Sequence, residues 1–135
     1  MKNSKHIALI IFLFLIDFFS KFYFKDKNIK ISEHFAFNYT KNTGISFGFF
    51  QDNNLLLIFL TLIIILIILY YFNKEKKMQL GFSLILAGAF GNLINRIFYG
   101  HVIDFIDLNI WPVFNLADVF VISGVLILLY YSLKK

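Results

Sequence analysis

Three aspartates stand close together in the last third of the chain, among apolar residues. Asp104 and Asp107 lie in the segment HVIDFID, and Asp118 follows in PVFNLAD. Two carboxyl groups held together in an apolar setting repel when both are ionised, so that one pKa rises and an acid and a base coexist near neutral pH. Such a pair can activate water for attack on an amide bond. One carboxylate accepts a proton from the water, and the other carboxyl group donates a proton to the carbonyl oxygen.

Asp118 also has a structural interpretation. Asn115 is suited to cap the helix that opens here, and Asp118, three residues later, completes a start that resembles a capping box. Acidic side chains are in any case favoured in the first turn of a helix. Spacing alone leaves both interpretations of Asp118 open.

Asp17 and Lys21 are four residues apart, on one face of a predicted helix. A structural ion pair that lets both groups enter the bilayer is the simplest interpretation. Ser20 and Lys21 do not form a Ser/Lys protease pair, because adjacent helical residues do not face each other.

Gly88, Asn92 and Arg96 follow at four-residue spacing in another apolar run. The small residue favours close helix packing, and asparagine can hydrogen-bond across helices. Arg96 differs, because a guanidinium in this position needs an aspartate, a lipid phosphate or a peptide carbonyl as its partner.

The elements that must position these residues are apolar enough for lipid. Of the 135 residues, 59% are hydrophobic and 16% charged, with a mean hydropathy of +0.75, whereas soluble domains are about 45–50% apolar and about 25% charged. The absence of cysteine excludes disulfides, thiol nucleophiles and lipidation on a cysteine of this chain. The net charge of +5 does not indicate nucleic-acid binding, because the basic residues stand at the ends of apolar runs.

Four apolar runs predict four transmembrane helices in one integral membrane domain over residues 1–135. The predicted spans are about 7–24, 55–72, 79–97 and 116–133, each nearly long enough for a hydrocarbon core of about 30 Å. Seven lysines lie in the short segments Met1–His6, Asn73–Lys77 and Lys134–Lys135. The positive-inside rule therefore predicts that both termini are cytoplasmic and that the two longer connections face outward.

The first outer connection carries a strand pattern. Apolar and polar residues alternate around Phe37, a turn-like segment KNTG follows, and alternation resumes around Phe47. The pattern predicts a small β-hairpin over about residues 35–50. The predicted fold is therefore an all-α membrane protein of four transmembrane helices with a small extracytoplasmic β-hairpin or sheet.

Four sequence blocks occur in order along the chain: IDFFSK, YTKNTGISFG, GAFGNLINRIFYGHVIDFID and PVFNLAD. In this order, and with four apolar runs, they resemble the blocks of the lipoprotein signal peptidases (signal peptidase II), which are membrane aspartyl proteases. The chain departs from the family pattern at Asn95, where many members have aspartate and where a supporting charge is therefore missing.

The resemblance implies a role for each matching position. Asp104 and Asp118 match the catalytic pair, whereas Asp107 matches none; if the stretch is extended, the odd spacing puts Asp107 on the opposite face from Asp104. The positions that line or support the site are Asn42, Gly44, Asn92, Arg96, Asn115 and Ala117, together with the polar pair Asp17 and Lys21.

The implied reaction is hydrolysis of one peptide bond in a prolipoprotein, on the amino side of a cysteine that carries diacylglycerol. The implied partners are this substrate and membrane lipids, with no metal or organic cofactor and no nucleic acid. The resemblance further implies a monomer in the bacterial cytoplasmic (inner) membrane, with its active site at the extracytoplasmic face.

Two other classes of function compete with this one. A small proton-coupled transporter would depend on a single acid near the bilayer midplane, such as Asp17, or on Asp118, rather than on an interfacial pair. A non-catalytic membrane scaffold would keep its function with carboxamides at positions 104 and 118.

Overall fold

The computed structural model describes residues 3–44 and 50–134. Each of the four predicted spans falls within one of its long helices. The elements in chain order are α1 (Ser4–Phe24), β1 (Asn28–Lys30), β2 (Ala36–Asn42), α2 (Asn54–Phe72), a short 3-10 turn (Lys76–Met78), α3 (Gln79–Tyr99), β3 (Val102–Asp107) and α4 (Leu116–Leu133).

All four helices are long and apolar enough to cross a membrane. The third, α3, packs against the other three and is the one whose apolar window is mostly buried. It ends at Gly100, whose φ of 73° lies in the left-handed region that glycine adopts without a steric penalty. That turn feeds the chain directly into β3.

The apolar core lies between α2 and α3. Ile65, Ile68 and Phe72 of α2 meet Phe82 and Leu86 of α3 within one buried cluster. On another side of α3, Gly91 lets α1 approach closely, because a Cβ at this position would collide with the Asp17 carboxylate. Small residues on α3 therefore set how near the polar groups of α1 come to it.

A three-stranded antiparallel sheet in the order β1-β2-β3 lies at the end of the bundle where α1 and α3 end and α2 and α4 begin. The predicted first strand is present as β2, but it runs through Lys41 to Asn42, where the pattern predicted a turn. It pairs with β1, from the same connection, and with β3, from the second long connection. Local alternation does not reveal either partner. The predicted second strand falls on residues 45–49, outside the described residues.

A stack of three phenylalanine rings joins the sheet to the bundle. The ring of Phe24, at the end of α1, lies 4.3 Å from that of Phe37 on β2 and 4.7 Å from that of Phe105 on β3. Stacked aromatic pairs add about 0.5–1.5 kcal/mol each beyond the area that they bury. The stack fixes β3, and therefore its aspartates, over the end of α1.

Candidate active site

Asp104 projects from the face of β3 opposite the phenylalanine stack. Thr40 is its partner in the β2–β3 register, so Asn42, two residues further along β2, lies on the same face as a diagonal neighbour. Oδ2 of Asp104 accepts a hydrogen bond from Asn42 Nδ2 at 2.8 Å, and Oδ1 of Asp104 accepts one from Asn115 Nδ2 at 2.6 Å. Burial, followed by the charge of Asp118, raises the pKa of Asp104 to about 7.

Asn115 holds both carboxyl groups. Its side chain contacts Asp104, whereas its backbone N–H donates to Oδ2 of Asp118 at 3.1 Å. Its own Oδ1 accepts from the Asp118 backbone N–H at 3.1 Å, so the predicted capping box at the start of α4 is present. The cap therefore does more than start a helix, because it turns the Asp118 carboxylate toward the residue that holds Asp104.

The two aspartates have unlike surroundings. Asp104 is 2% exposed, whereas Asp118 is only half-buried. Asn92 Nδ2 donates to Oδ1 of Asp118 at 2.9 Å. One carboxyl group is thus largely withdrawn from water and the other remains accessible at the edge of the cluster.

The Asp17–Lys21 pair supports the cluster from α1. The Lys21 ammonium lies 2.8 Å from the Asp17 carboxylate and donates to Asn92 Oδ1 at 2.8 Å. The other Asp17 oxygen accepts from the backbone N–H of Ala117 at 2.8 Å, in the first turn of α4, where a negative charge is favoured. The pair is buried and structural, and it orients the asparagine that holds Asp118. Ser20 donates instead to the Asp17 carbonyl.

Arg96 reaches the cluster through the end of β2. Its Nη2 donates to the Gly44 carbonyl at 2.6 Å, and the Gly44 N–H donates to Asn42 Oδ1 at 3.0 Å. Asn42 then donates to Asp104. Of the three partners that the sequence allowed for Arg96, the structure shows a peptide carbonyl. All ten predicted site residues therefore belong to one connected network.

Asp107 and Asn95 lie outside this network. Asp107 is near the surface, where the Asn109 backbone N–H, followed by the Asn38 side chain, lowers its pKa below the usual value. Asn95 is buried, and its Oδ1 accepts from the Ile103 backbone N–H at 3.0 Å. A carbonyl oxygen meets that need as well as a carboxylate would, so this contact needs no charge at position 95.

Asn54 and the phenylalanine stack support the site but were not predicted from the sequence. Asn54, the first residue of α2, donates through Nδ2 to the Arg96 carbonyl at 3.0 Å. Its position at a predicted helix start was the available signal. Within residues 3–44 and 50–134, no three histidine, aspartate or glutamate side chains lie close enough together to hold a metal ion.

This fold matches that of solved membrane enzymes. A solved structure described as a bacterial membrane enzyme, determined by the in meso method at 2.3 Å resolution, superimposes with a TM-score of 0.90 and 30% identity, over 97% of this chain and 88% of that one. A second, described in the same words at 1.9 Å resolution, superimposes with a TM-score of 0.86 and 29% identity, over 98% of this chain and 94% of that one.

The sequence comparisons name the family. Residues 9–134 match the family model described as signal peptidase (SPase) II. The lipoprotein signal peptidase of Wigglesworthia glossinidia brevipalpis is 42% identical over 95% of this chain and 94% of its own length. That of Thermodesulfovibrio yellowstonii is 36% identical over 100% of this chain and 99% of its own length. The chain belongs to the signal peptidase II family. Its class is therefore that of multi-pass membrane proteases.

Proposed function

We propose that this protein removes the signal peptide from diacylglyceryl-modified prolipoproteins, by hydrolysis on the amino side of the lipidated cysteine. Asp104 and Asp118 act as the catalytic pair. The observation that carries this proposal is the asymmetric carboxyl pair, in which Asn115 contacts both groups and burial raises the pKa of Asp104 to about 7. The family membership and the name shared by the relatives support the substrate class.

The unlike surroundings suggest a division of labour. The fraction of Asp104 that carries a proton, which is substantial up to about pH 7, donates it to the carbonyl oxygen of the scissile peptide bond, while the half-buried Asp118 takes a proton from water. The water oxygen bonds to the carbonyl carbon, and the resulting tetrahedral intermediate collapses as the carbon–nitrogen bond breaks. The leaving amine receives the proton that Asp118 had taken, and one hydroxyl of the intermediate returns its proton to Asp104 as the new carboxyl group forms.

A groove that reaches Asn92, the hydrogen-bond donor to Asp118, offers room for an apolar segment of substrate. It has a volume of about 270 Å³ and is lined by Leu57, Thr61 and other residues of α2, together with Ala89 of α3. Asn92 and Arg96 form its polar part. Arg96 Nη1 is buried and has no hydrogen-bond partner among residues 3–44 and 50–134, and a peptide carbonyl of a substrate that opens the groove would satisfy it.

The lysine distribution supports a membrane orientation. Both termini and the connection between α2 and α3 lie in the cytoplasm, so the sheet and the carboxyl pair lie at the extracytoplasmic face of the bacterial inner membrane. There the substrate's signal helix and acyl chains share the bilayer with the enzyme, and water reaches Asp118 from the surface.

Cleavage of matched precursor peptides tests the proposed substrate. The purified protein in lipid micelles is expected to cut a precursor that carries diacylglycerol on its cysteine and to release a fragment that begins at that cysteine, as identified by mass spectrometry. The same precursor without the diacylglyceryl group is the control and is expected to stay intact. Cleavage of both at equal rates would contradict the requirement for lipid, and cleavage of neither would contradict the function.

The rate of cleavage is expected to fall as the pH rises above about 7. The raised pKa of Asp104 means that its proton is lost in this range, which leaves no acid for the carbonyl oxygen. Loss of one required proton lowers kcat/KM about tenfold per pH unit. A pH–rate profile with the lipidated precursor measures this limb, and a rate unchanged between about pH 6 and about pH 9 would rule out this role for Asp104.

A further inference from the structure

The connection between β3 and α4 turns large apolar side chains outward. In the segment Leu108–Trp111, which we name the 108–111 loop, Ile110 is 88% exposed and Trp111 54% exposed. Single exposed apolar residues are ordinary, whereas adjacent ones at a loop tip form an apolar surface that can contact lipid or another protein.

The loop is held in shape rather than collapsed onto the protein. Asn109 has a φ of 61°, and its backbone N–H donates to Oδ1 of Asp107 at 2.8 Å. Its side-chain amide donates to the backbone carbonyl of Glu33, across in the first long connection. Below the loop, Ile106 and Phe114 exchange two backbone hydrogen bonds, at 2.8 and 3.1 Å. These braces present the apolar tip at a fixed place.

The loop lies at the same end of the bundle as other strongly exposed aromatic side chains. It lies at the sheet end of the bundle, a few residues before α4 begins at Leu116. At the same end, Phe22 of α1 and Phe98 of α3 are among the most exposed residues of their helices. Tryptophan is enriched where a bilayer meets water, and isoleucine favours the acyl region beneath.

We propose that the 108–111 loop is a membrane anchor, which inserts Ile110 and Trp111 into the boundary between headgroups and acyl chains of the leaflet at the sheet end. The occupant of this surface is bilayer lipid. Because β3 and the start of α4 flank the loop, the anchor sets the depth of Asp104 and Asp118 in the membrane. This inference rests on the membrane-spanning helices and not on the proposed reaction.

Trp111 is the only tryptophan of the chain, so its fluorescence reports on the loop alone. The full-length protein is placed in vesicles of phosphatidylcholine and phosphatidylglycerol whose acyl chains carry bromine at a shallow or a deep carbon. We expect blue-shifted emission, stronger quenching by the shallow bromines than by the deep ones, and little quenching by aqueous iodide. Ready quenching by iodide with none by brominated lipid would overturn the proposal, as would protection that appears only when a precursor peptide is added.

A matched pair of variants separates anchoring from general effects on the bundle. Ile110→Asn is expected to shift the Trp111 emission to the red and to remove most of the quenching by shallow bromines, because the tip loses its apolar contact with lipid. Leu133→Asn, at an 87% exposed position at the other end of the bundle, is the control and should leave both signals unchanged. Unaltered quenching in Ile110→Asn would show that lipid does not hold the loop. Both variants replace exposed side chains, so circular dichroism should show native helix content.

Discussion

Replacement of either Asp104 or Asp118 by asparagine is expected to lower the rate of precursor cleavage by about 10³-fold or more. Asparagine is nearly isosteric with aspartate but neither takes a proton from water nor donates one to a carbonyl oxygen at neutral pH, and general acid–base groups contribute about 10²–10⁴-fold each. Each variant keeps an oxygen that accepts hydrogen bonds, so the contacts with Asn115 are only partly lost. The measurement is the single-turnover rate on a diacylglyceryl-modified precursor peptide.

Asp107→Asn is the matched control for both substitutions. It lies three residues from Asp104 on the same strand, but its partners are Asn38 and the Asn109 backbone. Its rate should stay close to that of the unaltered protein. Normal cleavage by Asp104→Asn or Asp118→Asn would remove that residue from the catalytic pair. An equal loss in Asp107→Asn would instead point to damage to β3.

The second large effect concerns stability. Lys21→Met is expected to destabilise the fold by about 3–5 kcal/mol, because it leaves the Asp17 carboxylate buried without its cation. The substitution also removes the hydrogen bond that Lys21 donates to Asn92. Thermal or denaturant unfolding in detergent, followed by circular dichroism, measures the loss.

The double variant Asp17→Asn/Lys21→Met shows whether the loss of stability in Lys21→Met comes from an unpaired buried charge or from lost packing. It removes both charges and keeps an oxygen for the Ala117 backbone N–H, so it should be more stable than Lys21→Met alone. Lys30→Met, at an exposed position on β1, serves as control, with an expected change within about 0.5 kcal/mol. If the effects of the two single substitutions simply add, the pair is not coupled and the ion-pair interpretation fails.

The site shows where prediction from residues succeeded and where it depended on the resemblance. The Asp17–Lys21 pair and the capping box of Asn115 and Asp118 were readable from helical spacing, because both are local arrangements. Asn42 is different. Nothing in its own segment indicates that it contacts Asp104, since that contact needs β2 to pair with β3 across 62 positions of the chain. Only the family pattern placed Asn42 in the site beforehand.

The extent of the strands in the sheet also could not be predicted from the local sequence. Alternation around Phe37 predicted a strand, and the strand exists, but its continuation through Lys41 follows from hydrogen bonding to β3. A strand ends where its partner ends, and a partner from a distant segment leaves no mark on local alternation. The contact of Asn54 with the Arg96 carbonyl also joins distant segments, so its place at a helix start indicated a polar role but not this partner.

The amino-acid sequence by itself determined which segments form helices and that these helices are apolar enough to lie in lipid. Apolar runs of membrane length form helices in lipid even when they hold a few polar residues, because each backbone group is satisfied within its own segment. The tertiary structure alone decided which polar groups meet. Asp104 and Asp118 come to share Asn115, with one carboxyl group buried and the other half-exposed, and that difference arises from packing among α1, α3, α4 and β3. The raised pKa of Asp104 is therefore a property of the folded chain and not of any segment of it.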